Sequence, residues 1–201
     1  MLRLRDDHWD RIRKHFPEEH LPDTRPGRKP VPTRAVLESV LWILNTGAQW
    51  HLLPQCYPNY KTVHRRFQQW CQREVLREIL TQLANTLRDE GAIDERESFF
   101  DFYMLEAKPE HLIGDRAYAS DGLDDDLKQD GVNLIAPHRS TRKPKTQDGR
   151  HLRRYQRRWL VERFFAWLQW KLRLLIRWEY YATNFLGFVQ LACITMLLKQ
   201  F

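Results

Sequence analysis

The sequence predicts a protein of the α + α/β class, with a helical domain over residues 1–92 and an α/β domain over residues 93–201. In the first part, apolar residues recur at spacings of three and four, which is typical of helices. In the second part, three short apolar runs, ESFFD, HLIGD and VNLIAP, have the length and composition of buried strands. Residues 121–130 suggest a helix between the last two runs, and strands that alternate with helices indicate an α/β domain.

Composition sets the first limits on function. The 201 residues, 42% of them apolar, suffice for one good core or two small ones. Lys and Arg number 33 against 26 Asp and Glu, and the net charge of +7 favours a polyanionic partner, nucleic acid first. Cys56, Cys71 and Cys193 are far apart and form no CxxC pair, so neither a disulfide framework nor a zinc site is expected.

The two ends of the sequence argue against a membrane protein. The N-terminal stretch MLRLRDDHWDRIRKHF is charged from its third residue and has no apolar core typical of a signal peptide. Residues 185–198, FLGFVQLACITMLL, are too few for a span and include Gln190. We therefore expect a buried terminal helix and no membrane partner.

The N-terminal domain begins with a short helix over residues 8–16 and a proline-rich basic connector, PDTRPGRKPVPT. The connector ends at Thr33, which can cap a helix that runs to Gly47. A second helix begins near Tyr60, and a third covers residues 76–88. The residues expected to point inward from the second helix are Tyr60, Val63, Phe67 and Trp70.

The opposite face of the second helix is basic and polar. It carries Lys61, His64 and Arg65, followed by Gln68 and Gln72. Two helices, a turn and a basic outward face resemble a helix-turn-helix unit, whose second helix enters the major groove of DNA. A merely solvated helix face remains the alternative.

A second basic region precedes the last helices. Between Arg139 and Arg158 there are nine Lys or Arg residues and one acid, Asp148. Pro144 and Gly149 indicate a loop, and phosphate backbone is its expected partner, although a disordered basic loop is an alternative. The candidates for contact with DNA are Arg139, Arg142, Lys143, Lys145 and Arg154.

The stretch YQRRWLVERFFAWLQ, residues 155–169, has helical periodicity. On a helix, Tyr155, Arg158 and Glu162 share a narrow polar stripe. An exposed Arg-Glu pair worth about 0.3–0.5 kcal/mol is the simplest interpretation of that stripe. The apolar residues that fall on one broad arc, expected to face a core, are Leu160, Val161, Phe164, Phe165, Trp167 and Leu168.

Three acids stand out by their context. Asp101 and Asp115 follow predicted strands, and Glu162 lies on a predicted helix. Three converging carboxylates would repel one another strongly unless they surround divalent cations, and oxygen ligands suit Mg²⁺ or Mn²⁺. Two such ions can activate a water or a 3′-hydroxyl and stabilise the leaving oxygen of a phosphodiester. Spacing alone is a weak signal, because aspartates at strand ends are common.

Longer motifs carry a stronger resemblance. They are GRKPVPTRAVLESVLWILNTGAQWHLLPQCYPNYKTVHRRFQQW in the first domain, and KPEHLIGDRAYASDGLDDDL, IAPHRSTRKPKTQDGRHLRRYQRRWLVERFFAWLQ and WEYYATNFLGFV in the second. Over nearly its whole length the chain resembles the DDE transposases of bacterial insertion sequences, in the five-type group of the four/five superfamily. The resemblance implies an RNase H-like catalytic domain after a DNA-binding region.

The resemblance also implies residue roles. Asp101, Asp115 and Glu162 match the catalytic, metal-binding triad, and the spacing of Tyr155, Arg158 and Glu162 matches the family signature Y(2)R(3)E. Tyr155 and Arg158 are then expected to orient Glu162 and to contact DNA phosphate. The implied activity is metal-dependent cleavage and strand transfer during DNA transposition. The implied partners are double-stranded DNA, as terminal inverted repeats and as target, and further copies of the chain, in the bacterial cytoplasm at the nucleoid.

Two features depart from the family pattern, the length of one interval and the residue at one position. Only thirteen residues separate Asp101 from Asp115, where the family has an interval several times longer that holds two strands and a helix. We therefore expect an internal deletion, a smaller three-stranded sheet, and a truncated, inactive or impaired RNase H-like domain. The alternative function is a non-catalytic protein that binds transposon ends and interferes with full-length transposase. Gln169 stands where the wider superfamily has a basic residue, and Lys171 is expected on the opposite helix face.

Overall fold

In this computed structural model the described residues are 3–21, 30–91, 97–98, 110–114, 120–137 and 159–201, with the backbone alone described at 97–98 and 159–161. The helices and strands are, in chain order, α1 (Asp6–Ile12), α2 (Thr33–Thr46), α3 (Tyr60–Gln72), α4 (Val75–Asp89), β1 (Glu97–Ser98), β2 (His111–Ile113), α5 (Asp121–Gln129), β3 (Asn133–Ile135), α6 (Trp159–Gln169), α7 (Leu172–Leu175) and α8 (Ala182–Leu197).

The chain forms two compact units. The first unit contains residues 1–85 and 167–201, and the second unit contains residues 86–166. The C-terminal residues thus pack with the N-terminal helices, whereas the sequence predicts two consecutive domains, residues 1–92 and 93–201. As a division of functions, those two domains stay a prediction.

Aromatic side chains from three parts of the chain build the core of the first unit. Phe67 of α3 and Phe188 of α8 lie with their ring centroids 4.5 Å apart, and both are fully buried. Phe16 packs edge-on against Trp70 of α3 at 4.8 Å. Burial of each large aromatic removes about 150–250 Å² from water, so these contacts fix α8 against α3.

Helix α2 ends as predicted but begins differently. Gly47 has a left-handed φ of 68°, and its N–H donates to the carbonyl of Ile43. Glycine is favoured there because it has no Cβ to clash. The predicted cap is wrong, because Thr33 is the first helical residue and Pro32 occupies the N-cap position without a side-chain hydrogen bond. The hydroxyl of Thr33 instead accepts a hydrogen bond from Arg66.

Helices α3 and α4 confirm the predicted second and third helices. Val63, Phe67 and Trp70 are buried, as their spacing predicted. The helix-turn-helix unit is not confirmed: residues 47–59 join α2 to α3, whereas the turn of such a motif has about three to four residues. The N-terminal segment expected as one helix over residues 8–16 is α1 followed by a 3₁₀ turn, Arg13–His15.

The C-terminal helix is a core element of the first unit. Its residues Phe188, Leu191, Ala192 and Ile194 are buried. Continued by a 3₁₀ turn to Gln200, it is the one helix of the described residues that is long and apolar enough to cross a membrane. A core helix of a globular protein passes the same test, and the burial of these residues fits that interpretation.

The second unit contains the predicted small sheet. Strands β1, β2 and β3 lie side by side in that order, and both pairings are parallel. Leu112, Ile113 and Ile135 are buried, and α5 lies between β2 and β3 in the chain. The predicted strands HLIGD and VNLIAP and the helix of residues 121–130 are therefore confirmed, and the α/β prediction holds for this unit.

Helix α6 forms where the periodicity predicted it, from residue 159 onward. Its apolar arc is less buried than expected. Phe165 is 52% exposed, and Phe164, Trp167 and Leu168 are half-buried. The prediction that Phe165 faces a core is wrong, because the helix presents that side of its arc to solvent.

Candidate nucleic-acid interface

The outward face of α3 is a basic surface without acids. The helix contains Lys61, Arg65 and Arg66 and no Asp or Glu. The side chains of Lys61 and Arg65 are exposed, and neither forms an ion pair with a described residue. Asn59 caps the helix by accepting a hydrogen bond from the backbone N–H of Lys61 at 3.0 Å. Within the described part of the chain, no acid is paired with these two cations, which makes them the candidates of α3 for contact with phosphate oxygens.

Some other arginines of the first unit are already engaged with carboxylates. Arg5 pairs with Asp7, and Arg77 pairs with Glu74 at 3.3 Å. A cation that is already paired gains less from a phosphate because a neighbouring acid repels the anion. The α3 face differs from these positions in having no such acid on its own helix.

His64 occupies a more enclosed place than Lys61 and Arg65. Its ring lies 4.6 Å from that of Trp50, and its Nε2 atom is buried without a hydrogen-bond partner. Burial lowers the pKa of His64 below 6.5, with Arg173 acting in the same direction and Glu179 opposing it. The ring is therefore neutral at pH 7, and its packing on Trp50 supports the helix that carries the cations. A contact between His64 and DNA stays a prediction.

Arg66 is the third cation of α3 and points inward. Its Nε donates to Glu18 at 3.2 Å, and its other nitrogens donate to the carbonyl of Val31 and the hydroxyl of Thr33. The indole of Trp70 donates to the same carboxylate. Arg66 thus ties α3 to the segment before α2. The sequence alone does not distinguish this structural arginine from Arg65 beside it, which is exposed.

Of the three predicted triad members, the structure describes Glu162. It lies in the first turn of α6 with its side chain exposed. A carboxylate in a first turn is favoured by the helix dipole. A role of Glu162 as a metal ligand stays a prediction.

Asp101 and Asp115 lie outside the described residues, and the strands that precede them are described. In the β1–β2 pairing, Glu97 is the partner of His111 and Ser98 is the partner of Leu112. The register offset is 14 (111 − 97), and the two aspartates are also 14 positions apart (115 − 101). In the sequence, Asp101 is three positions after Ser98 (101 − 98), and Asp115 is three positions after Leu112, the partner of Ser98 (115 − 112).

The donor chemistry suits a divalent cation. Three carboxylates offer the hard oxygen ligands that Mg²⁺ and Mn²⁺ prefer. Among the residues that the structure describes, no group of three or more His, Cys, Asp or Glu side chains forms a metal site. The predicted ligand set, two members of which lie outside the described residues, stays a prediction.

The remaining predicted DNA contacts fall outside the described part of the chain. They are Arg139, Arg142, Lys143, Lys145, Arg154, Tyr155 and Arg158. Lys171, in contrast, is described, and the expectation that it lies on the opposite face of the α6 helix is wrong. The helix ends at Gln169, and the Nζ of Lys171 donates to Asn45 Oδ1 at 2.6 Å.

A buried polar cluster around Trp50 was not predicted. Arg173 and Glu179 form an ion pair, and the indole Nε1 of Trp50 donates to Glu179 at 3.3 Å. Arg173 also donates to the carbonyl of Ala48 at 3.0 Å. A lone acid within an apolar and basic stretch, such as Glu179 in RWEYY, is the signal that could have indicated a buried pair.

Cys71 is excluded as a nucleophile near this face. Burial raises the pKa of its thiol to about 12, and Glu179 acts in the same direction. The reactive form of a cysteine is the thiolate, so Cys71 is inert at neutral pH. Its sulfur packs against Gly187 of α8.

Comparison with known proteins gives two family matches that together span most of the chain. Residues 4–80 match a family described as "Putative transposase of IS4/5 family", and residues 77–197 match one described as "Transposase DDE domain". No solved structure matches the chain.

One similar relative is "Uncharacterized protein y4sN" of Sinorhizobium fredii (strain NBRC 101917 / NGR234), which is 38% identical over 82 residues. The matched residues make up 40% of this chain and 62% of that relative. The match thus covers less than two thirds of the relative's length.

Proposed function

The chain belongs to the DDE transposases of the IS4/5 family, and from this premise we propose that it binds double-stranded DNA and cleaves a phosphodiester with Asp101, Asp115 and Glu162. The observation that supports cleavage most is the register of β1 and β2, whose offset of 14 equals the separation of the two aspartates. The C-terminal ends of adjacent parallel strands meet at one sheet edge, so we expect residues that are equally far along the chain from one paired position, here three residues past Ser98 and past Leu112, to lie near each other.

Each carboxylate has its own part in the reaction. Asp101 and Asp115 are the ligands carried by neighbouring strands, and Glu162 is the ligand carried by α6. A divalent cation bound by these oxygens supplies charge stabilisation for the attacking and leaving oxygens of the phosphodiester. Tyr155 and Arg158, at the spacing of the family signature, orient Glu162 and hold the adjacent phosphate.

DNA is held by the exposed cations of α3. Lys61 and Arg65 neutralise phosphates and release condensed counterions, which is the main source of affinity in non-specific binding. The basic residues between Arg139 and Arg158 extend this contact along the backbone. The proposed substrates are terminal inverted repeats and target DNA in the bacterial cytoplasm, at the nucleoid, and two or more copies of the chain act together.

A non-catalytic DNA-binding protein is the second candidate function. The thirteen-residue interval between Asp101 and Asp115 favours it, because this interval is too short for the two additional strands of the family's catalytic sheet. Such a protein would retain Lys61 and Arg65 and occupy transposon ends without cutting them.

Nicking of the DNA that flanks the gene, measured with Mg²⁺ or Mn²⁺, separates the two functions. The proposed function expects nicks in the presence of metal and their loss in Glu162→Ala. Asp125→Asn, which changes an exposed acid of α5, is the matched control and should nick like the unchanged chain. Metal-independent binding without any nicking would support the non-catalytic candidate.

A further inference from the structure

Residues 170–181, called the aromatic segment below, bury the charged side chains of Arg173 and Glu179 and expose most of their apolar side chains, together with Arg177. Arg173 and Glu179 are 2% and 7% exposed. Trp170 and Tyr180, by contrast, are 80% and 89% exposed. Surface segments of globular proteins usually show the opposite arrangement, because exposed aromatic surface is costly in water.

The inward residues anchor the aromatic segment to the C-terminal end of α2 and the loop after it. Lys171 donates to Asn45, and Arg173 donates to the carbonyl of Ala48. Leu172 lies against Gly47, close enough that a Cβ added at Gly47 would meet the Cβ of Leu172 at 3.0 Å and its backbone at 3.1–3.2 Å. The segment is therefore held in one conformation, and a preordered surface loses less entropy on binding.

The outward side chains form a large apolar surface. Four aromatic residues, each offering about 150–250 Å² when fully exposed, contribute about 400–700 Å². Single monomers rarely expose patches above about 300–600 Å². With the aliphatic members the area approaches the roughly 800 Å² per partner of a stable interface. The exposed apolar residues of the segment are Trp170, Leu172, Leu175, Ile176, Trp178, Tyr180 and Tyr181.

The charged residues of the aromatic segment favour a second copy of the chain over DNA as the partner of this surface. Lys171, Arg173 and Glu179 are engaged inward, and Arg177 donates to the carbonyl of Glu179 while lying 5.9 Å from the ring of Phe185. The surface thus offers few cations to DNA, whose binding depends on them. Two copies of a chain with a net charge of +7 repel each other over most of their surface, but less where two mainly apolar patches, each with Arg177 as its exposed charge, meet across a two-fold axis.

We infer that the aromatic segment is the self-association surface of this chain and that its occupant is the same segment of a second copy. This inference deepens the proposed function, since it assigns a surface to the proposed action of two or more copies, and it rests on that function for the identity of the partner. The apolar composition, enriched in Trp and Tyr, matches the central part of homodimer interfaces.

The test is the molar mass of the full chain without DNA, measured by size-exclusion chromatography with light scattering. The unchanged chain should elute at about twice its mass of 24.4 kDa, and Trp170→Ser/Tyr180→Ser should elute at the mass of one chain. Leu21→Ser removes an exposed leucine outside the segment and should remain dimeric. Unchanged far-UV circular dichroism verifies that the double variant is folded.

Three results would overturn the inference. The first is an unchanged chain that is monomeric at its highest soluble concentration, and the second is a double variant that remains dimeric. The third is an unchanged chain that is monomeric and binds phosphatidylglycerol vesicles or duplex DNA through the segment, so that the double variant loses this binding. Lys61→Ala/Arg65→Ala should lower the affinity for DNA and leave the dimer mass unchanged. A failure of the proposed DNA binding is therefore distinguishable from a failure of the proposed interface.

Discussion

Arg173 of α7 and Glu179, which precedes α8, form an ion pair that is shielded from solvent, and both residues hydrogen-bond to the loop that follows α2. Trp50 of that loop donates a hydrogen bond to Glu179, and the Arg173 guanidinium carbon lies 5.8 Å from the Trp50 ring centroid. The ring of His64 in α3 lies 4.6 Å from the ring of Trp50, so the ion pair supports, through Trp50, the helix that carries Lys61 and Arg65.

Removal of one member of this pair should destabilise the first unit strongly. Glu179→Ala leaves the Arg173 charge buried without its partner, and breaking a buried pair in this way costs about 3–5 kcal/mol. Urea denaturation followed by circular dichroism measures the loss. The paired variant Arg173→Met/Glu179→Leu should recover much of the stability, since it leaves no unpaired charge. A loss below about 1 kcal/mol in Glu179→Ala, the range of a surface pair, would contradict this role.

The contact between α3 and α8 predicts a second effect on stability. A Cβ added at Gly187 would overlap the sulfur of Cys71 and would approach Phe67 at 3.2 Å. Gly187→Ala should therefore lower the free energy of unfolding by about 1–3 kcal/mol, as overpacked cores do. Gly122→Ala is the comparison, because a Cβ at Gly122 meets nothing within 4 Å.

The double variant Cys71→Ala/Gly187→Ala identifies the cause of that loss. Removing the sulfur makes room for the new methyl group, so the effects of the two substitutions should not add. Strictly additive losses would show that the strain lies elsewhere.

Burial of histidines predicts a loss of stability in mild acid. Burial lowers the pKa of His8 and His64 below 6.5 in the folded chain. The unfolded chain then binds more protons, so stability is complete above pH 6.5 and falls as the pH drops below it. Thermal melts between pH 7.5 and pH 5 measure this change.

His64→Phe should flatten the pH dependence, because the ring contact with Trp50 remains and the titrating group is lost. His51→Gln, which alters an exposed histidine, should leave the dependence unchanged. An equally steep fall in His64→Phe and in the unchanged chain would exclude His64 as a source.

The exposed cations of α3 predict a change in salt dependence. Lys61→Ala and Arg65→Ala should each weaken binding to any duplex and reduce the slope of log affinity against log salt by about 1. Fluorescence anisotropy of a labelled duplex at several KCl concentrations measures both quantities. Arg77→Ala removes a cation that is already paired with Glu74 and should alter the slope less. Unaltered slopes in the α3 variants would remove this face from the DNA interface.

The sequence predicted the helices well where apolar spacing and end signals agreed. Val63, Phe67 and Trp70 identified the buried face of α3, and Gly47 marked the end of α2, because both depend on local geometry. Thr33 was misinterpreted as a cap. A cap is a local signal, and here the tertiary hydrogen bond from Arg66 uses the hydroxyl instead.

The sequence predicted less of the candidate site and of the contacts that support it. Periodicity predicted that Phe165 faces a core, but it cannot show whether another element covers that side of α6, and the residue is exposed. The pairing of Arg173 with Glu179 and the packing of α8 on α3 join distant parts of the chain, so no local pattern contains them. The register of β1 and β2, which pairs Glu97 with His111 and Ser98 with Leu112, likewise depends on strand pairing.

The central claim is that the short interval still brings Asp101 and Asp115 to one cation. Binding of Mn²⁺ to the purified chain, followed by electron paramagnetic resonance, tests it without requiring DNA or turnover. We expect the unchanged chain to bind Mn²⁺, Asp101→Asn and Asp115→Asn each to lose that binding, and Asp125→Asn to retain it. Undiminished binding in Asp101→Asn, or no binding by the unchanged chain, would contradict the claim.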